Sequence, residues 1–429
     1  MFCMSSTPNE QKAFQSQQIM DLERQYLLGN YARYPVVLKK GKGCYVYDIA
    51  GKRYLDLIAG IGVNALGYGH PRIVRAIREQ TVQLLHCSNL YYHEFQGPLA
   101  KLLAEASGLQ RAFFSNSGTE SMEGALKMAR AHGRKVSPEK YEIVSLENSF
   151  HGRSLGALSV TGQAKYRLDF EPLLPGIRFV PPNDAAALEE AVNERTAGIV
   201  VEAIQGEGGI YPMSFDYLRK ARELATRYNA LLVFDEIQCG VGRPGTYFAY
   251  QLAEPGVLPD VAVAAKPLAC GLPLGVILAN EKAAASIGPG MHGSTFGGGA
   301  LACRVGIEFM EYLPELLPSI IQTGGCFRLE LSDLARHYAF IKEVRGFGLM
   351  IGVELDIPGK QIVVDAMEEG LLMNCTHETV LRFLPPYILT EQDVDRAVQI
   401  LKKVLKKVHY VPKCEAGVPA AEPGLGAEG

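Results

Sequence analysis

Between about residues 110 and 280, short apolar runs alternate with stretches of helical periodicity, and this pattern narrows the possible folds most. The runs AFFS (112–115), EIVSL (142–146), GIVV (198–201), LLVF (231–234), VAVAA (261–265) and GVILA (275–279) read as buried strands. TESMEGALKMARAHG, AAALEEAVNER and FDYLRKARELATRYN lie between them, with apolar residues recurring at three and four. The expectation is an α/β fold with a largely parallel sheet, which takes its ligands at the carboxyl ends of the strands.

The flanks read differently. GCYVYDIAGKRYLDLIAG alternates in strand fashion around Ala50-Gly51-Lys52, the pattern of a hairpin outside the main sheet. After about residue 305, two helices (VGIEFMEYL and GGCFRLELSDLARHY) precede strand-like GLMIGVEL and VLRFLPP, then a last helix opening at Thr390 with Asp393 as a capping box. The expected division is an N-terminal segment (1–20), a small α+β domain built from 21–75 with 305–410, a large domain (76–304) and a disordered tail (411–429). The tail's Pro, Gly, Ala and Glu content cannot build a core.

Charge and composition exclude several function classes. A net charge of −3 provides no field to attract nucleic acid, and nine scattered cysteines without a CxxC pair argue against a disulfide framework or zinc site and for buried thiols. The histidines lack HxxxH or HExxH spacing, so no metal is expected. Without an apolar leader or a run of about 18 uncharged apolar residues, neither secretion nor a membrane span is expected, and the expected location is the cytoplasm. Lys402, Lys403, Lys406 and Lys407 near the end of the last helix read as a solvated face beside the stripe Val394, Ala397, Leu401, Val404 and Val408, rather than as a membrane or nucleic-acid surface.

Two residues carry the chemistry. Asp235 directly follows LLVF, at a strand's carboxyl end where packing has no use for a carboxylate. Thirty-one residues on, Lys266 ends VAVAA, and Pro267 after it biases Lys266 toward the strand and away from a helix. An interior lysine is costly unless its charge is lost or paired, and Schiff-base formation with a carbonyl removes that charge. Together they suit pyridoxal phosphate: the acid keeps the pyridine nitrogen protonated while the lysine binds the aldehyde. SNSGTE then supplies a phosphate site, with Ser117, Gly118 and Thr119 opening a helix whose N–H groups face an anion. Phe150 and Ile237 are placed to cover the two faces of the ring, and Gln238 to reach its hydroxyl. The glycine-rich STFGGG (294–299) reads as a second phosphate contact. Taken singly, each of these has a plainer reading as a helix cap, core packing or a flexible loop.

Seven segments together resemble the class III pyridoxal-phosphate aminotransferases: LLVFDEIQCGVGRPG, PDVAVAAKPLACGLPLG, SNSGTE, FHGRSLGALS, VEAIQGEGG, HGSTFGGG and VLRFLPP. The resemblance runs from about residue 20 to 410. Within the class, GIGVNALGYGHP and CSNLYYHE are most similar to the acetylornithine aminotransferase group, with the succinylornithine and ornithine enzymes as neighbours. It implies fold type I, pyridoxal 5′-phosphate as cofactor, Lys266 as Schiff-base and catalytic lysine, Asp235 on the pyridine nitrogen, Gly118 and Thr119 on the phosphate, and Phe150 stacking. Thr295 would arrive from the partner subunit, making a homodimer part of the site. Gly299-Ala300 stands where the family usually has Asn-Pro, and Pro267 where Gly or Ala is more common.

The implied reaction moves the terminal amine of N2-acetyl-L-ornithine, or a close analogue, to 2-oxoglutarate, giving the semialdehyde and L-glutamate in arginine biosynthesis. Ornithine, succinylornithine and 4-aminobutyrate remain alternative donors. Only glutamate has a carboxylate beside its amine, so Arg382 is expected to pair with that group and Glu207 to neutralise Arg382 when a terminal amine is bound. Arg153 would hold the distal carboxylate, with Ser294 near the acyl end. A competing reading treats Gly240-Val241-Gly242-Arg243-Pro244-Gly245 as the GxGxxG of a dinucleotide-binding oxidoreductase. DEIQC separates it from the preceding strand and Pro244 sits where the fingerprint's helix would start, so the fit is poor.

Overall fold

The computed structural model describes residues 8–253 and 255–410; the tail expected to be disordered lies outside them. At its centre is a seven-stranded sheet in the order Arg111–Ser115, Gly275–Ala279, Val261–Ala264, Leu231–Asp235, Thr196–Val201, Glu142–Leu146, Ile177–Val180. Gly275–Ala279 is antiparallel to both its neighbours and the other contacts are parallel. The inner strands are largely apolar because both faces are covered. Leu232, Phe234, Ala262 and Leu278 join one core cluster; Leu231, Val233, Val263 and Ile277 join the cluster on the opposite face with Met122, Ala125 and Ala129. Those last three belong to the helix Gly118–Val136, which follows the edge strand Arg111–Ser115. The expected runs are all strands, and the edge strand Ile177–Val180 is one that the apolar pattern did not reveal, since only Val180 in IRFV is buried.

The hairpin around Gly51 is present, pairing Tyr45–Asp48 with Arg53–Asp56. It lies in a four-stranded sheet with Leu38–Lys42 and, in parallel, with Leu371–Leu372 from far along the chain. A second four-stranded sheet, wholly antiparallel, contains Ile341–Phe347, Met350–Leu355, Val380–Phe383 and Asn374–Thr376. The helix Glu391–Leu405 opens with the expected capping box of Thr390 and Asp393. Val394, Ala397, Leu401 and Val404 are buried on it, while Lys403 and Lys407 pair with Glu369.

Two expectations need correction. The two helices expected after residue 305 are one helix, Ala300–His337, 38 residues long, with Pro314 and Pro318 inside it. Each proline removes a helix hydrogen bond at a cost of about 3 kcal/mol. Tertiary packing outweighs that: Phe309, Leu313, Leu316, Ile320 and Phe327 are all buried across the interruption. The cysteines are also less buried than expected: Cys44, Cys239 and Cys303 are buried, but Cys87, Cys270, Cys326 and Cys375 are half-buried. All seven are free thiols. No described helix is long and apolar enough to cross a membrane.

The helix Gly118–Val136 lies close on the sheet because Gly133 lets it. A Cβ at Gly133 would run into the backbone carbonyl of Lys140 and come within 2.8 Å of the Ala197 side chain. Alanine is the better helix former by about 1 kcal/mol, but overpacking against backbone costs about 1–3 kcal/mol. Gly133→Ala should therefore lower stability, read as a lower urea midpoint; a raised midpoint would mean the helix can lift off the sheet without loss.

Candidate active site

The carboxyl edge of the large sheet opens into a cavity of about 400 Å³ lined by Asn116, Ser117, Gly118, Thr119, Phe150, His151, Arg153, Glu202, Glu207, Asp235, Ile237, Gln238 and Lys266, among others. Asp235 ends its strand with only 3% exposure. Its Oδ2 lies 2.7 Å from His151 Nδ1 and its Oδ1 accepts from the Ile237 N–H at 3.0 Å. Burial opposes a charge on His151, but the hydrogen bond and negative charge of Asp235 outweigh it, and Glu202 adds to them, so the His151 pKa is raised. The contact with His151 fixes the Asp235 carboxyl group where it lines the cavity.

Lys266 faces the same cavity, although not as part of a strand. The strand stops at Ala264 and Lys266 begins a 3-10 turn, Lys266–Ala269, in which Pro267 sits near the start where its missing N–H costs nothing. The lysine is half-buried because its open side is the cavity, and among the described residues its ammonium has no hydrogen-bond or ion-pair partner. Burial pushes its pKa down to about 8; Arg382 acts in the same sense, and Glu207, Asp235 and Glu202 oppose it.

Ser117 caps the helix Gly118–Val136, accepting from the Glu120 N–H, while the Glu120 carboxylate accepts from the Asn116 N–H at 2.6 Å. Gly118 at the first turn is required by packing, since a Cβ there would lie 2.7 Å from Ile237 Cδ1. The Thr119 hydroxyl bonds to Ser154 Oγ at 2.8 Å and accepts from the Arg153 N–H, joining the helix start to the FHGRS loop. In that loop Phe150 meets Tyr166 edge-on, and the Arg153 guanidinium lies 4.1 Å from the Tyr166 ring centroid, with no ion pair among the described residues.

Arg382 does not itself line the cavity; it sits in the second antiparallel sheet, behind the lining residues Glu207 and Gln238. Arg382, on Val380–Phe383 and 1% exposed, donates from Nη1 to Glu207 at 2.6 Å and to Gln238 Oε1 at 3.0 Å, and from Nε to Asn374 at 3.1 Å. Burial pushes the Glu207 pKa up, but the charges of Arg382 and Lys266 overcome it and hold the carboxyl below its usual range. Gln238, expected at a ring hydroxyl, also donates to Glu207 and so belongs to this network. Ser294 sits at the edge, its Oγ accepting from Asn116 Nδ2 at 3.2 Å. Thr295 is exposed beside His86, Asn89 and His93 and does not line this chain's cavity. The GVGRPG segment forms turns with no helix behind it, and its Arg243 is fully buried, donating to the carbonyls of Leu349 and Pro385; a dinucleotide fingerprint is excluded.

His151 and Glu202 were missed from the sequence. Glu202 had the same signal as Asp235, a carboxylate immediately after a buried apolar run. It is 5% exposed, and burial, aided by Asp235, raises its pKa to about 7 against the opposing pull of His151 and of the Phe150 and Gly206 N–H groups. His151 carried no periodic signal; only the fold brings it to Asp235, 84 residues away.

A lysine of lowered pKa and a shielded carboxylate sharing one cavity at the carboxyl edge of an α/β sheet define an enzyme that handles amines and carbonyls. The aminotransferase class-III family model matches residues 28–405, and the chain belongs to that family. It is 48% identical to the acetylornithine aminotransferase of Methanocaldococcus jannaschii over 91% of this chain and 98% of that protein. An ornithine aminotransferase structure from Toxoplasma gondii, described with PLP at partial occupancy in its active site, superposes with a TM-score of 0.86 at 32% identity, covering 94% of this chain and 98% of that one. The acetylornithine aminotransferase of Elizabethkingia anophelis gives 0.81 at 30%, covering 92% and 99%.

The lowered lysine pKa makes a direct prediction. In cofactor-free protein, labelling of Lys266 by formaldehyde and cyanoborohydride should rise with pH around a midpoint near 8, because the neutral amine reacts and the ammonium does not. A midpoint above 10, as for ordinary lysines, would show that burial does not depress it.

Proposed function

We propose that this enzyme is a pyridoxal 5′-phosphate-dependent aminotransferase that transfers the terminal amine of N2-acetyl-L-ornithine or a close analogue to 2-oxoglutarate, giving the semialdehyde and L-glutamate. Arginine biosynthesis in the cytoplasm is the role we infer for it. The observation that carries the reading is the unpaired Lys266 facing the cavity with Asp235, in a chain 41% to 48% identical to acetylornithine aminotransferases of several organisms.

The residues present fit the cofactor. Lys266 Nζ is the amine that would hold its aldehyde, Asp235 the carboxylate for the pyridine nitrogen, and the N-terminus formed by Ser117, Gly118 and Thr119 the phosphate site, with the space above Gly118 kept free of a side chain for Ile237. Phe150 and Ile237 would flank the ring. Bound there, the cofactor supplies an electron sink that stabilises negative charge on the substrate carbon. Lys266 then takes a proton from that carbon and returns one on the other side of the transfer, work for which an amine of pKa about 8 is suited near neutral pH.

Glu207 and Arg382 explain how one cavity takes two unlike donors. With a terminal amine bound, the pair stays closed and Arg382 remains neutralised; with glutamate, Arg382 turns its fork to the α-carboxylate. Arg153, free of an ionic partner at the cavity mouth, is suited to the distal carboxylate, and Ser294 to the acyl end. A homodimer is supported by the exposed apolar residues Val82, Leu85, Leu90, Tyr91 and Tyr92 in a segment that His86 and Asn89 tie to the loop carrying Thr295. The alternative of ornithine as donor is supported by the likeness to the Toxoplasma structure. A panel of half-reactions, each amine mixed with cofactor-loaded enzyme, ranks the donors; equal rates for ornithine and its acetyl derivative would remove the substrate assignment.

Lys266→Ala should retain cofactor but lose turnover by about 10⁴-fold or more, the upper range for a general base. Borohydride treatment of the unaltered holoenzyme should leave a phosphopyridoxyl group, the cofactor less one oxygen after loss of water and gain of two hydrogens, on the peptide containing position 266. Glu207→Ala should favour glutamate over terminal amines by about tenfold, as expected for loss of a charge-assisted bond, measured as the ratio of the two half-reaction efficiencies.

A further inference from the structure

Glu207 stands at the tip of a short hairpin whose arms are Ile204–Gln205 and Tyr211–Pro212. What fixes this tip decides how firmly Glu207 holds Arg382. On one side, the Glu207 carbonyl accepts from Thr376 Oγ1 at 2.8 Å. On the other, the Gly206 N–H donates to Glu202 Oε1 at 3.2 Å. The second oxygen of the same carboxylate, Oε2, accepts from the Phe150 N–H at 3.1 Å. Glu202 therefore spans the cavity floor, one oxygen on the loop that carries the aromatic wall and one on the residue before the switch carboxylate. The hairpin tip has no room to settle elsewhere: a Cβ at Gly206 would strike Gln238, and one at Gly208 would lie 2.8 Å from the Asn148 carbonyl.

Resting on the function proposed above, we propose that Glu202 is a positioning residue: by holding the Gly206 and Phe150 N–H groups together, it sets Glu207 against Arg382 and so biases the choice between glutamate and terminal amines. With both flanks of Glu207 pinned, the exchange of partners on Arg382 proceeds by rotation of the Glu207 side chain, without movement of the hairpin. A carboxylate is needed for this because it offers two acceptors; an amide offers one acceptor and turns a donor toward the other N–H.

Glu202→Gln tests the idea on the holoenzyme, with glutamate and N2-acetyl-L-ornithine half-reactions measured side by side. One tie is lost, Glu207 holds Arg382 less firmly, and the efficiency ratio is expected to move toward glutamate by about fivefold, the worth of one net hydrogen bond, with most of the change in KM. If both efficiencies fall by the same factor, Glu202 serves only general stability or the charge balance around Asp235, His151 and Lys266, and the inference is overturned. If the unaltered enzyme does not use both donors, the underlying functional reading falls and this inference falls with it; a working unaltered enzyme with an unmoved ratio removes this inference alone. Should the variant not fold, amide hydrogen exchange in the unaltered holoenzyme reads the same tie. The Gly206 and Phe150 amides should both be protected by about a hundredfold or more, and a Gly206 amide exchanging at the open-chain rate overturns the assignment.

Discussion

The cost of keeping charges out of water at one edge of a sheet governs this molecule. Asp235, Glu202, Glu207, His151 and Lys266 line one cavity, with Arg382 behind Glu207, and a buried ion without a partner is expensive. All but one have their demands met inside the protein: Asp235 by His151, Glu207 by Arg382 and Gln238, Glu202 by two backbone N–H groups. Lys266 is the exception, and the structure accommodates it by lowering its pKa. The unsatisfied group is thus the reactive one, and the paired groups around it form the frame that keeps its setting dry and fixed.

That frame draws on elements remote in sequence. The large sheet supplies Asp235 at a strand end and, in the 3-10 turn just past the adjacent strand, Lys266; the helix after the edge strand supplies an N-terminus, and an antiparallel sheet from the last quarter of the chain supplies Arg382. Close packing sets the tolerances. Gly118 admits Ile237 beside the helix start, and Gly133 lets the same helix rest on the sheet. The 38-residue helix Ala300–His337 keeps its course through two prolines because its neighbours bury it on both sides of the interruption.

The readings that succeeded were those in which one residue's surroundings are set by its own segment. Asp235 after LLVF, the strand EIVSL, the hairpin at Gly51 and the Thr390–Asp393 box are local, and each is present. Failures came where a distant element overrode the local signal. The helix Ala300–His337 read as two separate segments, IRFV was too polar to declare itself an edge strand, and Pro267 pointed to an extended Lys266 where the chain makes a 3-10 turn.

From its own letters the chain fixes which segments are buried strands and which charged residues stand at their ends, because burial leaves a periodic trace and a carboxylate or lysine after an apolar run breaks it. Tertiary structure decides who neutralises whom: the Glu207–Arg382 pair was expected with the help of the family resemblance, and the His151–Asp235 pair not at all. Arg382 meets Glu207 across 175 residues, and His151 meets Asp235 across 84. An ion pair depends on direction and on distances of a few ångströms between elements packed independently, and no spacing along the chain encodes that.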